Sequence, residues 1–240
     1  MFRNTLGFEV QEILGAFGKK LGEGFKLPSM DSDYCFSYHL KFTEKLKPNN
    51  YYHFQIACLY IDNFNQRYLR MINYTISCDD ELSKIYFNVD VDAMTKLMIQ
   101  KEMVLMTAFN TDKIQARENF TNKLINILLY YRKKCSDKAP LQQLILPASV
   151  KFIPLFLTSL TKKPVLRKNK EGVSSSVVYS QVHSLLRDPL FLTIKFLNPK
   201  FYKVDDITLD QSSKVDDPNL VLVSIFFIYK IFLEKYWNLQ

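Results

Sequence analysis

A change of period at Asp79 divides this chain. Before it, "YYHFQIACLYI" (51–61) alternates strictly, with Phe54, Ile56, Cys58 and Tyr60 on one side and His53, Gln55, Ala57 and Leu59 on the other. That is the pattern of a strand with two unlike faces. The turn-like "DNFNQ" leads into "RYLRMINYTIS", which completes an antiparallel hairpin. "YCFSYHLKF" (34–42) alternates too, and five of the six glycines lie at or before Gly24, where they mark turns. From Asp79 no glycine occurs until Gly172, and apolar residues recur at helical spacing. Phe120, Leu124, Ile127, Leu128 and Tyr131 form one stripe. A β-rich unit followed by a helical one is therefore expected, with a return to strand character after residue 200.

Helix signals lie inside the second unit. Ser174 to Ser176 read as an N-cap region, with Val178, Val182 and Leu185 following on one face. In "DPLFLTIKFLNP" Asp188 takes the N-cap position and Pro189 the first turn, and the helix stops before Pro199. About five helices are expected between 79 and 200. "LPASVKFIPLFLTSLTKK" (146–163) is a puzzle, because Pro154 falls in the middle of an apolar helical run. An interior proline removes a hydrogen bond and costs roughly 3 kcal/mol.

Composition restricts function more than it assigns it. Hydrophobic residues make up 48% of the chain, enough for a packed core. Cys35, Cys58, Cys78 and Cys135 stand far apart with no CxxC pair, which is the pattern of reduced thiols rather than a zinc ribbon. There is no phosphate loop, metal-ligand cluster or nucleophile motif, so no enzyme, cofactor or metal site is expected. Asp90 and Asp92 in "NVDVDAM" read as a helix start. No secretory leader is recognised at the N-terminus. "LVLVSIFFIY" (220–229) is too short for a bilayer needing ~20 residues and reads as a buried strand, so a soluble protein is expected.

The net charge of +8 is unevenly placed. Residues 79–200 carry 19 Lys and Arg against 11 Asp and Glu, while residues 201–240 carry 4 against 6. Lys162, Lys163, Arg167, Lys168 and Lys170 concentrate the excess, and such a cluster suits an acidic partner such as an anionic membrane. A basic helical nucleic-acid-binding protein is the rival of a different class. "LLYYRKK" supports it weakly, because Tyr130 and Tyr131 lie on or beside the apolar stripe. No nucleic-acid partner is expected.

Taken in order, these segments resemble the cargo-adaptor subunit of the COPII inner coat, the Sec-twenty-four type of the Sec-twenty-three/Sec-twenty-four superfamily. "FQIACLYIDNFNQRYLRMIN" is similar to that family's paired strands. "LPASVKFIPLFLTSLTKK" is similar to its proline helix, and "NPKFYKVDD" to the segment leaving its helical domain. "ITLDQSSKVDDPNLVLVSIFFIYKIFLEKYW" looks like the opening of its gelsolin-like domain. The resemblance implies an α+β chain: part of a β-sandwich (1–78), a helical domain (79–200) and a partial gelsolin-like α/β segment (201–240). The family's zinc ribbon, its trunk and the rest of the gelsolin-like domain are expected to be missing.

What the resemblance implies for function is a non-enzymatic COPII adaptor for transport from endoplasmic reticulum to Golgi. It would be cytoplasmic and peripheral on the endoplasmic reticulum membrane and on COPII vesicles. Its partners would be the other inner-coat subunit, sorting signals in cargo tails and an anionic membrane surface. Arg3 and Leu59 fall on positions that line a pocket for acidic sorting signals in that family. The GTPase-activating sister subunit of the same coat is the nearer alternative. The short connection between Leu46 and Tyr51 favours the adaptor.

Overall fold

A computed structural model describes residues 1–15, 19–21, 24–31, 33–108, 111–136, 145–167 and 174–198. The first part is built of strands: β1 (Phe2–Asn4), β2 (Phe8–Gly15), β3 (Lys19–Leu21), β4 (Gly24–Lys26), β5 (Phe36–Phe42), β6 (Tyr51–Ile61) and β7 (Arg67–Ser77). They pair antiparallel as β1-β6-β7, β2-β5 and β3-β4. Helices follow: α1 (Leu82–Phe87), α2 (Val91–Ala108), α3 (Lys113–Cys135), α4 (Ile153–Lys162), α5 (Ser175–Arg187) and α6 (Leu190–Leu197). The fold is α+β, a β-sandwich followed by a helical domain of six helices among the described residues, one more than expected. The gelsolin-like segment expected at 201–240 lies outside the described residues.

The β6–β7 hairpin runs in one unbroken register from Tyr51↔Ser77 to Ile61↔Arg67. Its turn is held by Asp62, whose Oδ1 accepts from the backbone N–H of Phe64 (2.9 Å) and Gln66 (2.8 Å). Asn65 takes φ +61°, a left-handed conformation that asparagine tolerates. The even-numbered face of β6 turns inward. Phe8 of β2 packs edge-on against Tyr52 and Phe54, and Phe2 stacks on Tyr38 of β5 at 4.3 Å. Gly15 closes the other sheet at φ +137°, where a Cβ would lie 2.8 Å from the Cys35 carbonyl oxygen.

Local signals explain most helix ends. Asp90 Oδ1 accepts from the N–H of Asp92 and of Ala93, opening α2. Ser174 caps α5 by accepting from the Ser176 N–H at 3.1 Å. Arg132, Lys133 and Lys134 occupy the last turn of α3, where cations oppose the helix dipole. The α3 stripe buries Phe120, Leu124, Leu128 and Tyr131, with Ile127 only partly covered.

Two expectations are corrected. Helix α4 begins at Ile153, so Pro154 sits in its first turn and not mid-helix. The preceding residues form turns instead, with Val150 N–H bonded to the Pro147 carbonyl at 3.1 Å. A first-turn N–H has no intrahelical partner, so the proline loses nothing there. The second correction concerns "DPLF": Asp188 is the C-cap of α5, and Pro189 is the N-cap of α6. The extended backbone of both residues separates the two helices.

The helical domain joins the sandwich at the C-terminus of α5. Three carbonyls there lie beyond the reach of intrahelical bonding. The buried Lys96 Nζ donates to Leu185 O at 2.7 Å and to Thr193 Oγ1 at 2.9 Å. Gln100 Nε2 donates to Leu186 O at 2.8 Å, while its Oε1 accepts from Ser37 Oγ of β5 at 2.6 Å. The Cys35 backbone N–H donates to Arg187 O at 2.8 Å. Beside this seam Lys101 Nζ pairs with Glu12 of β2 at 3.5 Å and lies 3.4 Å from His39 Nδ1.

Burial pushes the Lys96 ammonium down to about 8, because the charged form loses its water. Below that pH both folded and unfolded chains hold the proton, and the folded state bears the desolvation cost. Between about 8 and the ordinary lysine value near 10.4 the folded chain releases a proton that the unfolded chain keeps. Stability contributed by Lys96 therefore rises with pH across that window. Urea denaturation of the parent and Lys96→Met should show their difference moving in the parent's favour from pH 7.5 to 9.5, and a constant difference would refute this. In the same assay Pro154→Ala should change stability by less than about 1 kcal/mol. A gain of about 3 kcal/mol would restore the mid-helix reading.

Candidate functional site

The outer, odd-numbered face of β1-β6-β7 is the part of the sandwich that the second sheet leaves uncovered. Register places its residues in rungs. Thr5 and Thr75 flank His53, Arg3 and Asn73 flank Gln55, Met1 and Met71 flank Ala57, and Leu59 faces Leu69. The face is polar at the Thr5 end and apolar at the Leu59 end.

The polar rungs are fixed by hydrogen bonds. Thr5 Oγ1 donates to His53 O (3.0 Å) and accepts from the His53 N–H (2.8 Å), which holds β1 against β6. His53 Nδ1 lies 2.9 Å from Thr75 Oγ1, and Gln55 Nε2 donates to Asn73 Oδ1 at 2.9 Å. Together with Arg3 these side chains line an open hollow of about 460 Å³. Arg3 is exposed at its wall, so its guanidinium is accessible to a carboxylate.

Leu59 is 71% exposed and shares this face, but it does not line the hollow. It lies four residues along β6 from Gln55, the partner of Arg3, which is about 14 Å at strand rise. The structure thus puts Arg3 and Leu59 on one surface without bringing them into one pocket. Sequence reasoning missed the polar residues around Arg3. Alternation put His53 and Gln55 on the side of Leu59, but Thr5, Asn73 and Thr75 join them only through pairings across the sheet.

The basic cluster is less free than its sequence suggests. Lys163 is the C-cap of α4, and its Nζ lies 4.7 Å over the Phe196 ring. Lys162 is half-buried, and burial pushes its ammonium below the usual lysine value. Arg167 is partly buried, and Lys168 and Lys170 lie outside the described residues. Among the described residues no group of His, Cys, Asp and Glu is arranged to hold a metal, and no helix is long and apolar enough to cross a membrane.

Comparison with known proteins gives a consistent result. The family model for the Sec23/Sec24 beta-sandwich domain matches residues 2–79, and that for the Sec23/Sec24 helical domain matches residues 90–195. The chain is similar to the protein transport protein SEC24 B of Arabidopsis thaliana, at 30% identity over 88% of this chain and 19% of that protein. It is similar to SED5-binding protein 3 of Saccharomyces cerevisiae, at 26% identity over 67% of this chain and 17% of that protein. The crystal structure of the human COPII-coat protein Sec24c shares its fold, with a TM-score of 0.72 at 24% identity over 82% of this chain and 25% of that chain. The chain thus spans about a fifth of the length of the curated relatives it matches.

Proposed function

Because the chain belongs to the Sec23/Sec24 family, we propose that it is a non-enzymatic COPII coat component of the cargo-adaptor type. In this reading it works in the cytosol, peripheral on endoplasmic reticulum membranes and COPII vesicles. It selects cargo there for transport to the Golgi and contacts the other inner-coat subunit. The observation that carries the reading is the pair of family models. They match in chain order, sandwich then helical domain, across most of the described residues. The plant relative is named as a SEC24 protein transport protein and the solved structure as a COPII-coat Sec24c, which supports the adaptor over the GTPase-activating sister. A yeast relative named for binding another protein supports a role in capturing partners.

The cargo signal in this reading lies along the outer face of β1-β6-β7. Arg3 grips an acidic side chain, and Leu59 with Leu69 receives an apolar one. The ~14 Å between the two anchors matches roughly four residues of extended peptide. An acidic residue and a leucine four apart should therefore bind better than the same pair one apart. Titration followed by fluorescence anisotropy should show Arg3→Ala and Leu59→Trp each weakening the four-apart peptide by at least about fivefold, the first by losing a charge-assisted contact and the second by blocking the apolar one. Equal binding by parent and both variants would remove the site. Excess chain in a permeabilised-cell budding reaction should lower packaging of cargo bearing such signals, and unchanged packaging would remove the adaptor role.

The basic cluster faces an anionic membrane in this reading, at about 1 kcal/mol per cation near the surface. Reversing the charge of Arg167, Lys168 and Lys170 should abolish low-salt sedimentation with phosphatidylserine liposomes. Unchanged sedimentation would end the membrane-facing assignment.

A further inference from the structure

Among the described residues strand β7 forms an uncovered edge, and its chemistry is self-complementary. In the described sheet it has β6 on one side and no strand on the other. All of its eleven residues except Ile76 are exposed, including Leu69, Met71, Ile72 and Tyr74. A long apolar edge of this kind is a template for another strand.

The ladder shows which groups are free. Asp62 N–H bonds to Gln66 O, and Cys78 N–H bonds to Asn50 O, so even-numbered positions of β7 exchange hydrogen bonds with β6. By the antiparallel alternation, the N–H and C=O of the odd-numbered positions point away from β6. Among the described residues they form an unpaired row from Arg67 to Ser77.

We propose that this edge pairs with the β7 edge of a second copy of the chain, about a two-fold axis at Ile72. In that register Arg67 faces Ser77 of the other copy, Leu69 faces Thr75, Met71 faces Asn73, and every outward-pointing group finds a partner. On the inner face Ile72 meets Ile72, Tyr68 meets Ile76 and Arg70 lies against Tyr74, an apolar strip with a cation over an aromatic ring. No like charges oppose each other. Sliding the strands by two residues on each side of the axis, to centre on Arg70, sets two guanidinium groups face to face and shortens the overlap. Registers centred on Met71 or Asn73 oppose no like charges but leave Ser77 or Arg67 beyond the partner strand, so full overlap selects the Ile72 register. The result is one continuous sheet, β1-β6-β7 joined to its symmetry mate, with an isologous interface.

The test is sedimentation equilibrium of the full 240-residue chain with three variants. The parent should self-associate to a dimer. Ile72→Lys sets two ammonium groups opposite each other and should weaken dimerisation at least about tenfold. Asn73→Pro removes an outward N–H that β6 does not use, so it should give a monomer with an unchanged circular dichroism spectrum. Ile72→Cys should form an interchain disulfide under mild oxidation, because a non-hydrogen-bonded pair brings Cα atoms to about 4.5 Å. Met71→Cys, facing Asn73, should not. A monomeric parent overturns the proposal, and if its β7 amides still resist hydrogen exchange, a segment of the same chain covers the edge. A dimer unaffected by Ile72→Lys and Asn73→Pro also overturns it, because another surface then mediates association.

Discussion

Three carbonyl oxygens at the end of α5 hold this molecule together. A helix C-terminus leaves its last carbonyls without partners, and when it is buried they must be satisfied from elsewhere. Here Lys96 takes Leu185, Gln100 takes Leu186, and the backbone approaching β5 takes Arg187. Because Gln100 also binds Ser37, a single side chain of α2 ties α5 to the sandwich. The link is directional, so it fixes orientation as well as adhesion. An apolar seam of the same area would tolerate sliding.

The same device recurs inside the helical domain. Arg117 of α3 donates to Thr161 O at 2.7 Å and to Leu166 O at 3.2 Å, closing the end of α4 with a half-buried guanidinium whose pKa burial lowers. The Tyr86 hydroxyl donates to Ile127 O, and Ser149 Oγ donates to Tyr86 O at 2.6 Å. Each bond spans elements distant in sequence. The ends of α4 and α5 are thus finished by side chains of the long helices α2 and α3, and the end of α1 by Ser149 from the turns before α4. This explains why α2 buries Lys96 and Gln100.

What was legible in the sequence follows from how local each signal is. Alternation in β6 separated Phe54 and Ile56 from His53 and Gln55 as the structure does, because one buried face is enough to fix strand phase. The Ser174 cap and the α3 stripe were legible for the same reason. Pro154 misled because apolar spacing continues from α4 back into the turn before it. Val150 is as buried as a helix residue there, so periodicity could not mark the boundary. Asp188 misled because Asp-Pro satisfies an N-cap rule and a helix-stop rule at once. In α2 the buried polar residues blurred the stripe, and their carbonyl partners lie nearly ninety residues away. The polar end of the candidate site stayed hidden likewise, since Thr5 meets His53 and Thr75 only through sheet pairing.

The seam also determines which surface is left for partners. The main contacts of α2 and α5 with the sandwich run through β2, so the β2-β5 sheet is engaged on its helical side. Its other side packs against the even-numbered face of β6 through Phe8, Phe2 and Tyr38. That leaves the odd-numbered face of β1-β6-β7, together with the β7 edge, pointing away from both. Hydrogen bonds at Thr5 and Asp62 pin this sheet at opposite ends, so its outward side chains are held in fixed rungs and not on loops. A surface so placed can engage a partner without disturbing the core. Loss of the Gln100 link, by contrast, would change its angle to the basic helical domain without altering any residue on the face itself.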